Sequence, residues 1–311
     1  MEHALLILCA LLVNAVFGGP RRLHEALGLG RLTRLPAHGV RDVERRLNRE
    51  NRSSKARRIR GWIVVGFVVF SCIVFGRLLG WIFQGNMQAG EVALLAFLLP
   101  FRSSLDTAGA IRKELRAHHL NAARQVLEHT AWRHHPKLDD HGLARAAIEI
   151  LAVHFSEKIV APVLFYILFG LPGFFVSRMV YIMQETLVRP TESEQAFGYG
   201  ARKLHYLLHY IPARVTALLW ICAAIFIPSA TIGDSASQIS KGLLGESPQD
   251  IALLSASSVL HVGLGGPMSA YMHEGWVGPG TARIGDADIK RAMRAYVLLH
   301  VLLFCLIGLF I

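Results

Sequence analysis

Four side chains able to do chemistry, His154, Ser156, Glu157 and Lys158, interrupt a stretch that otherwise reads as membrane core, LARAAIEILAVHFSEKIVAPVLFYILFGLPGFF from Leu143 to Phe175. An ionisable group in hydrocarbon costs roughly 2.5–3.5 kcal/mol on insertion scales, so such residues usually face a bundle interior or a wet cavity and carry function. The plainer alternative is that Glu157 and Lys158 neutralise each other at an interface between two short helices. On either reading the helix is expected to break over His154–Lys158, where irregular backbone must be enclosed by protein or line a cavity. Arg214, beside Pro212 in another apolar run, offers a guanidinium fork to carboxylate or phosphate, or else snorkels to headgroups. His205 and His209 lie four apart, a spacing that metal sites use, but no third ligand stands at a recognisable spacing. The run Gly263-Leu264-Gly265-Gly266 could bring backbone N–H groups to a phosphate; no Gly-Lys-Ser/Thr follows, and a tight turn between helices explains it equally.

The elements that must position these groups are helical. The chain has 311 residues, of which 53% are hydrophobic and 18% charged, too apolar for an ordinary soluble domain and typical of a helical membrane protein. Its net charge of +11 is concentrated in Arg21–Arg60 and Arg112–Lys137. That asymmetry reads as cytoplasmic loops under the positive-inside rule; basic runs without interleaved aromatics do not suit nucleic-acid binding. Ala4–Phe17 is a short apolar first helix. Trp62–Phe83 has the length to cross a bilayer with only Arg77 charged, and Val92–Phe101 is half as long. Ser103–Asp140 changes to soluble periodicity and predicts a cytoplasmic helical hairpin turning near His118–Asn121 within a single membrane domain. Leu207–Ile227 and Ala295–Ile311 are further spans, whereas Gly233–Asp250, GDSASQISKGLLGESPQD, reads as a flexible linker. Cys9, Cys72, Cys222 and Cys305 stand singly among apolar residues, as buried small hydrophobes do. The expected fold is all-α and polytopic, with broken or re-entrant helices.

Several stretches, taken together, resemble one family. They are Gly18-Gly19-Pro20; Glu44-Arg45-Arg46-Leu47-Asn48-Arg49; Arg145-Ala146-Ala147-Ile148-Glu149; Val160-Ala161-Pro162 with Tyr166; Gly170-Leu171-Pro172-Gly173; Phe197-Gly198; Ile211-Pro212-Ala213-Arg214 with Thr216-Ala217; Leu264-Gly265-Gly266-Pro267; and Asp288-Ile289-Lys290-Arg291-Ala292. In that order they look like the CobD/CbiB family, the membrane-bound adenosylcobinamide-phosphate synthases of cobalamin biosynthesis. The resemblance implies a multi-pass enzyme of the inner (plasma) membrane. Such an enzyme uses ATP and Mg²⁺ to join a carboxylate of the corrinoid adenosylcobyric acid to an aminopropanol, or its phosphate, as an amide. It further implies Glu149 and Glu157 as catalytic acids, Glu157 as a Mg²⁺ ligand, and Ser156, Arg214, Gly265 and Gly266 on substrate or phosphate.

The chain departs from the family's pattern at polar positions: Gly19 for an Asp, Glu157 for an Asp with one methylene fewer, Gln184 for an Asp, and His205 and His209 among acids and an Asn. Apolar and glycine positions are kept while acids and amides are exchanged. This leaves open a non-catalytic relative on the same scaffold, binding a corrinoid or acting through partners as AmpE-like membrane proteins are thought to do. A transporter is a further reading, since broken helices and intramembrane charge also suit substrate pathways.

Overall fold

The computed structural model describes residues 2–17, 35–48, 53–130, 138–187, 192–228, 230–243, 246–266, 269, 275–309 and 311. Gly18-Gly19-Pro20 and much of the Arg21–Arg60 loop lie outside them. In chain order the elements are α1 (Glu2–Phe17), α2 (Leu35–Leu47), α3 (Ser54–Ile82), a 3-10 turn (Gly85–Met87), α4 (Gln88–Leu98), α5 (Phe101–Arg116), α6 (Leu120–Thr130) and α7 (Asp140–His154). A π-helical segment (Phe155–Val160) leads into α8 (Ala161–Leu187), followed by α9 (Glu192–Phe197), α10 (Tyr199–Ala224), α11 (Ile232–Gly242) and α12 (Pro248–Leu260). A two-residue hairpin pair, β1 (Leu264–Gly265) and β2 (Trp276–Val277), precedes α13 (Asp286–Gly308). The fold is all-α. Five helical runs are long and apolar enough to cross a membrane: Ser54–Ile82, Gln88–Arg116, Asp140–Leu187, Tyr199–Ala224 and Asp286–Gly308. Large apolar side chains project outward on α3, with Phe67 70% and Trp81 73% exposed. Water would not tolerate such a surface on a folded monomer and lipid does, so this is a polytopic membrane protein.

The described residues form two compact units, Met1–Leu99 with Ala161–His209, and Pro100–Val160 with Tyr210–Ile311. In the first, α3 packs along α8 with α2 beside it, around Val40, Val64, Val65, Val180, Met183, Leu187 and Phe197. The end of α4 shows how this unit keeps its backbone satisfied in hydrocarbon. Pro100 has no N–H to give the carbonyl of Ala96, four residues back. Asn14 of α1 replaces it, its buried Nδ2 donating to Ala96 O at 2.5 Å and to Leu99 O at 2.7 Å. Nearby, Tyr166 Oη donates to the buried Glu91 carboxylate at 2.6 Å. Within α8 the helix kinks where Pro172 withdraws another N–H, and Gly170 takes φ 65°, ψ −152°, a backbone that a side chain would strain.

The second unit packs α7 against α5, α12 and α13, with α6 returning along α5. His118, at φ 57°, makes the turn between α5 and α6. Two expectations are corrected here. The helix does not break at His154–Lys158; it widens into a π-helix over Phe155–Val160. Pro162 lacks the N–H that an α-helix would give to the Lys158 carbonyl, and its ring crowds that carbonyl, so the preceding turn opens outward. Nor is Gly233–Asp250 a linker throughout: most of it is α11 and the start of α12. Ser235, Ile239 and Gly242 recur at helical spacing on a buried face of α11, and Gly242 comes so near α12 that a Cβ would lie 2.5 Å from Leu254 Cδ2.

Candidate active site

Glu149, Ser156, Glu157, Arg214, Gly265 and Gly266, the six residues singled out from sequence, all lie in the second unit. They form three separate arrangements rather than one cluster.

The first is a clamp between α7 and the glycine loop. His141, Arg145 and Glu149 follow at intervals of four and therefore share one face of α7. His141 Nδ1 lies 2.8 Å from Ile284 O, and Arg145 Nη1 donates to Ala282 O at 2.7 Å. The Arg145 guanidinium also lies over the Trp276 ring at 5.2 Å. Glu149, fully buried, accepts from Gly265 N at 2.8 Å through Oε1 and from Ser269 Oγ at 3.0 Å through Oε2. The hairpin completes the turn: Gly265 pairs with Trp276, and Gly266 N donates to Gly275 O at 2.8 Å. The amides of Gly265 and Gly266 are thus committed within the chain, and Glu149 is placed to fix the loop's conformation. Ser269 was not foreseen, although it follows the Gly-Gly-Pro run by two residues.

The second arrangement is the π segment. Glu157 is fully buried, and Gln249 Nε2, in the first turn of α12, donates to its Oε2 at 3.3 Å. A carboxylate facing the N-terminal turn of a 13-residue helix also gains from that helix's dipole. Ser156 Oγ, 1% exposed, has no hydrogen-bond partner among the described residues. On the same turn, His154 Nδ1 is 3.0 Å from Ser104 Oγ and His154 Nε2 is 2.6 Å from Lys158 Nζ, a buried relay running from α5 to the π segment. Gln249 and Ser104 are site neighbours that sequence reasoning missed. Gln249 was hidden by its place in a presumed linker; the spacing of four between His154 and Lys158 was the only legible signal for the relay.

Arg214 stands apart from both. Its Nη1 donates to Tyr210 O at 3.1 Å, its Nη2 donates to Leu243 O, and its guanidinium stacks 3.4 Å from the centre of the Tyr210 ring. Leu243 is the C-cap of α11, so the cation sits on the carbonyl end of a helix, where a positive charge is stabilising. In the first unit His205 and His209 are buried and stack at 4.3 Å. Among the described residues, no three His, Cys, Asp or Glu side chains gather as a ligand set.

The fit of a Mg²⁺ ion rests on the π segment. Mg²⁺ takes oxygen ligands and is commonly held by one or two carboxylates, with phosphates and water completing the octahedron, so a large protein ligand cluster is not required. Glu157, the Gln249 amide and the unpartnered Ser156 hydroxyl supply oxygen groups of that kind.

Residues 7–296 match the family model described as CobD/Cbib protein. The cobalamin biosynthesis protein CobD of Brucella anthropi is 32% identical over 229 residues, covering 70% of this chain and 68% of that protein. The protein of the same name from Brucella suis is 34% identical over 169 residues, 53% of this chain and 51% of its own length. That of a Sinorhizobium species is 30% identical over 244 residues, 76% and 73% respectively. No solved structure matches. With the family model spanning nearly the whole sequence, the chain belongs to the CobD/CbiB family of cobalamin biosynthesis proteins.

Proposed function

We propose that the chain is an adenosylcobinamide-phosphate synthase of the plasma membrane, forming the amide between a carboxylate of adenosylcobyric acid and an aminopropanol or its phosphate at the expense of ATP. The observation that carries this reading is the π segment of a membrane helix, where a buried carboxylate bonded to an amide from α12 is followed in the same turn by a hydroxyl without a partner among the described residues. Glu157, Gln249 and Ser156 would hold Mg²⁺, which when bound neutralises charge on the nucleotide's phosphates. Phosphorylation of the corrinoid carboxylate makes its carbonyl electrophilic; the amine attacks, and phosphate leaves as the carbon–nitrogen bond forms. Glu149 acts here as a positioning residue, holding the Gly265 turn over the C-terminal half of α7. The positive-inside rule supports a cytoplasmic side for this reading, where ATP is available.

The test is amide formation by the detergent-purified protein from adenosylcobyric acid, aminopropanol phosphate and Mg-ATP. The expected result is product with the native chain and a loss of 100-fold or more, about 3 kcal/mol in the barrier, with Glu157→Gln. Native-level activity in Glu157→Gln would remove the metal-site assignment. A folded native protein that forms no amide and shows no Mg-ATP-dependent rise in melting temperature would favour the non-catalytic relative instead.

A further inference from the structure

A cleft of about 380 Å³ runs along the C-terminal half of α5, lined by Gly109, Arg112, Lys113, Arg116 and Ala117. None of these residues belongs to the clamp or the π segment. Three of the five are cations, and the other two have little or no side chain to fill the space between them. The charges are unevenly balanced. Arg112 Nε donates to the backbone carbonyl of Asp286 at 3.1 Å and its Nη2 to that residue's Oδ2 at 3.4 Å; Arg116 Nε lies 3.7 Å from the same Oδ2. One carboxylate therefore serves two guanidinium groups, and Lys113 adds a third positive charge. Like charges four apart on a helix repel, so Arg112 and Arg116 gain from a further anion between them.

The geometry also prepares these groups for a ligand. Arg112 is fixed at two points on Asp286, so its fork is oriented before anything binds, which lowers the entropic cost of capture. A carboxylate ligand would add one negative charge; a phosphate adds up to two, with several acceptor oxygens for forked donors. The volume lies at the small end of ligand pockets, enough for a phosphate or diphosphate group with little beyond it. Asp286 opens α13, a membrane-competent span, so the cleft lies where that span begins. A phosphate can reach such a place from solution or as a lipid headgroup.

We propose that the Arg112–Lys113–Arg116 cleft is a phosphate-binding site, formed by α5 and oriented by Asp286. The site is independent of the amide-forming reading and would be present in a non-catalytic relative as well.

The experiment uses the full chain in phosphatidylcholine nanodiscs, titrated calorimetrically with pyrophosphate, alongside native mass spectrometry of lipid retained from mixed phosphatidylglycerol and phosphatidylcholine. Lys113→Gln and Arg116→Gln, which leave the Arg112–Asp286 pair in place, should each weaken binding by about 10-fold or more, the effect of losing one charged contact. Asp286→Asn removes the competing carboxylate and should tighten binding several-fold, a sign that general disruption would not produce. Saturable pyrophosphate binding with this pattern identifies a soluble phosphate as the ligand. Absence of pyrophosphate binding, together with phosphatidylglycerol enrichment that falls in Lys113→Gln and Arg116→Gln, identifies a headgroup. Neither behaviour, or binding indifferent to Lys113 and Arg116, overturns the proposal.

Discussion

Replacing Glu149 should loosen the glycine loop before it affects anything else. The carboxylate is fully buried and accepts two hydrogen bonds, from Gly265 N at 2.8 Å and Ser269 Oγ at 3.0 Å. In Glu149→Gln the amide oxygen can keep the Gly265 N–H, which cannot rotate away, while the NH₂ turns to Ser269, whose hydroxyl can reorient to accept. Two charge-assisted bonds of about 1.5–3 kcal/mol each then become neutral bonds of about 0.5–1.5 kcal/mol, a net loss of roughly 2–3 kcal/mol. Glu149→Ala retains neither bond, leaves the Gly265 N–H buried without its acceptor, and opens a void, so its cost is larger, about 3–5 kcal/mol. Hydrogen–deuterium exchange read by mass spectrometry on peptides spanning 262–266 is the suitable assay, because it follows the loop directly. If the loop opens locally, about 2–3 kcal/mol corresponds to roughly 30- to 150-fold faster exchange in Glu149→Gln. Ser269→Ala should give a smaller acceleration, and the Glu149→Gln/Ser269→Ala double variant should fall short of the sum, since the two residues share one bond. Unchanged protection at Gly265 in Glu149→Ala would refute the positioning role.

Three further outcomes follow from the packing. Gly278 sits at φ 88°, and a Cβ there would lie 1.5 Å from Ser257 Oγ; Gly278→Ala should therefore cost at least about 2 kcal/mol and lower the melting temperature in detergent by several degrees. Asn14→Leu should destabilise by about 1–3 kcal/mol, because the Ala96 carbonyl has no Pro100 N–H to fall back on, whereas Asn14→Gln should recover part of the loss on chemical unfolding. Tyr166→Phe strips the buried Glu91 carboxylate of its donor and should destabilise by roughly 1.5–3 kcal/mol; Glu91→Gln added to it should restore some of that stability, because the uncompensated charge is gone.

Much of the scaffold was legible because bilayer length and charge distribution are coarse signals. The apolar run beginning at Trp62 became α3, the hairpin turn expected near His118 is where α5 ends and α6 begins, and the closing span became α13. The starts of helices were harder to read. Acids at Asp286 and Asp288 suit a cap, but in α13 Gly285 takes that position and the Asp288 carboxylate accepts from its N–H at 2.9 Å. Gly233–Asp250 misled because serine and glycine signal loops when counted locally. In α11 they signal close packing against α12, which is visible only once the neighbouring helix is present. Gln249, which donates to Glu157, was lost with that segment. The π segment escaped for a different reason. Charge inside an apolar run looks like a break, while the cause lies four residues on, in the missing N–H of Pro162.

The polar groups of the second unit differ in what holds them, and under the proposed function this difference favours the π segment. Glu149 is bound to a backbone amide and a hydroxyl, Arg145 to a carbonyl and an indole face, Arg214 to two carbonyls and a phenol ring. Each of these ties one element to another, and drawing it toward a substrate would break a contact worth one or more kcal/mol. The π segment differs: Gln249 donates to Glu157 at 3.3 Å, longer than a strong charge-assisted bond, and the buried hydroxyl of the adjacent Ser156 has no partner among the described residues. A membrane helix pays for such a turn in lost α-helical bonding, and π turns recur where function requires them. The ligand that would satisfy Ser156 and bridge Glu157 and Gln249 is one rich in oxygen and charge. A metal–phosphate group has that chemistry, so on the proposed reading loss of Glu157 rather than of Glu149 should abolish amide formation while leaving the glycine loop closed.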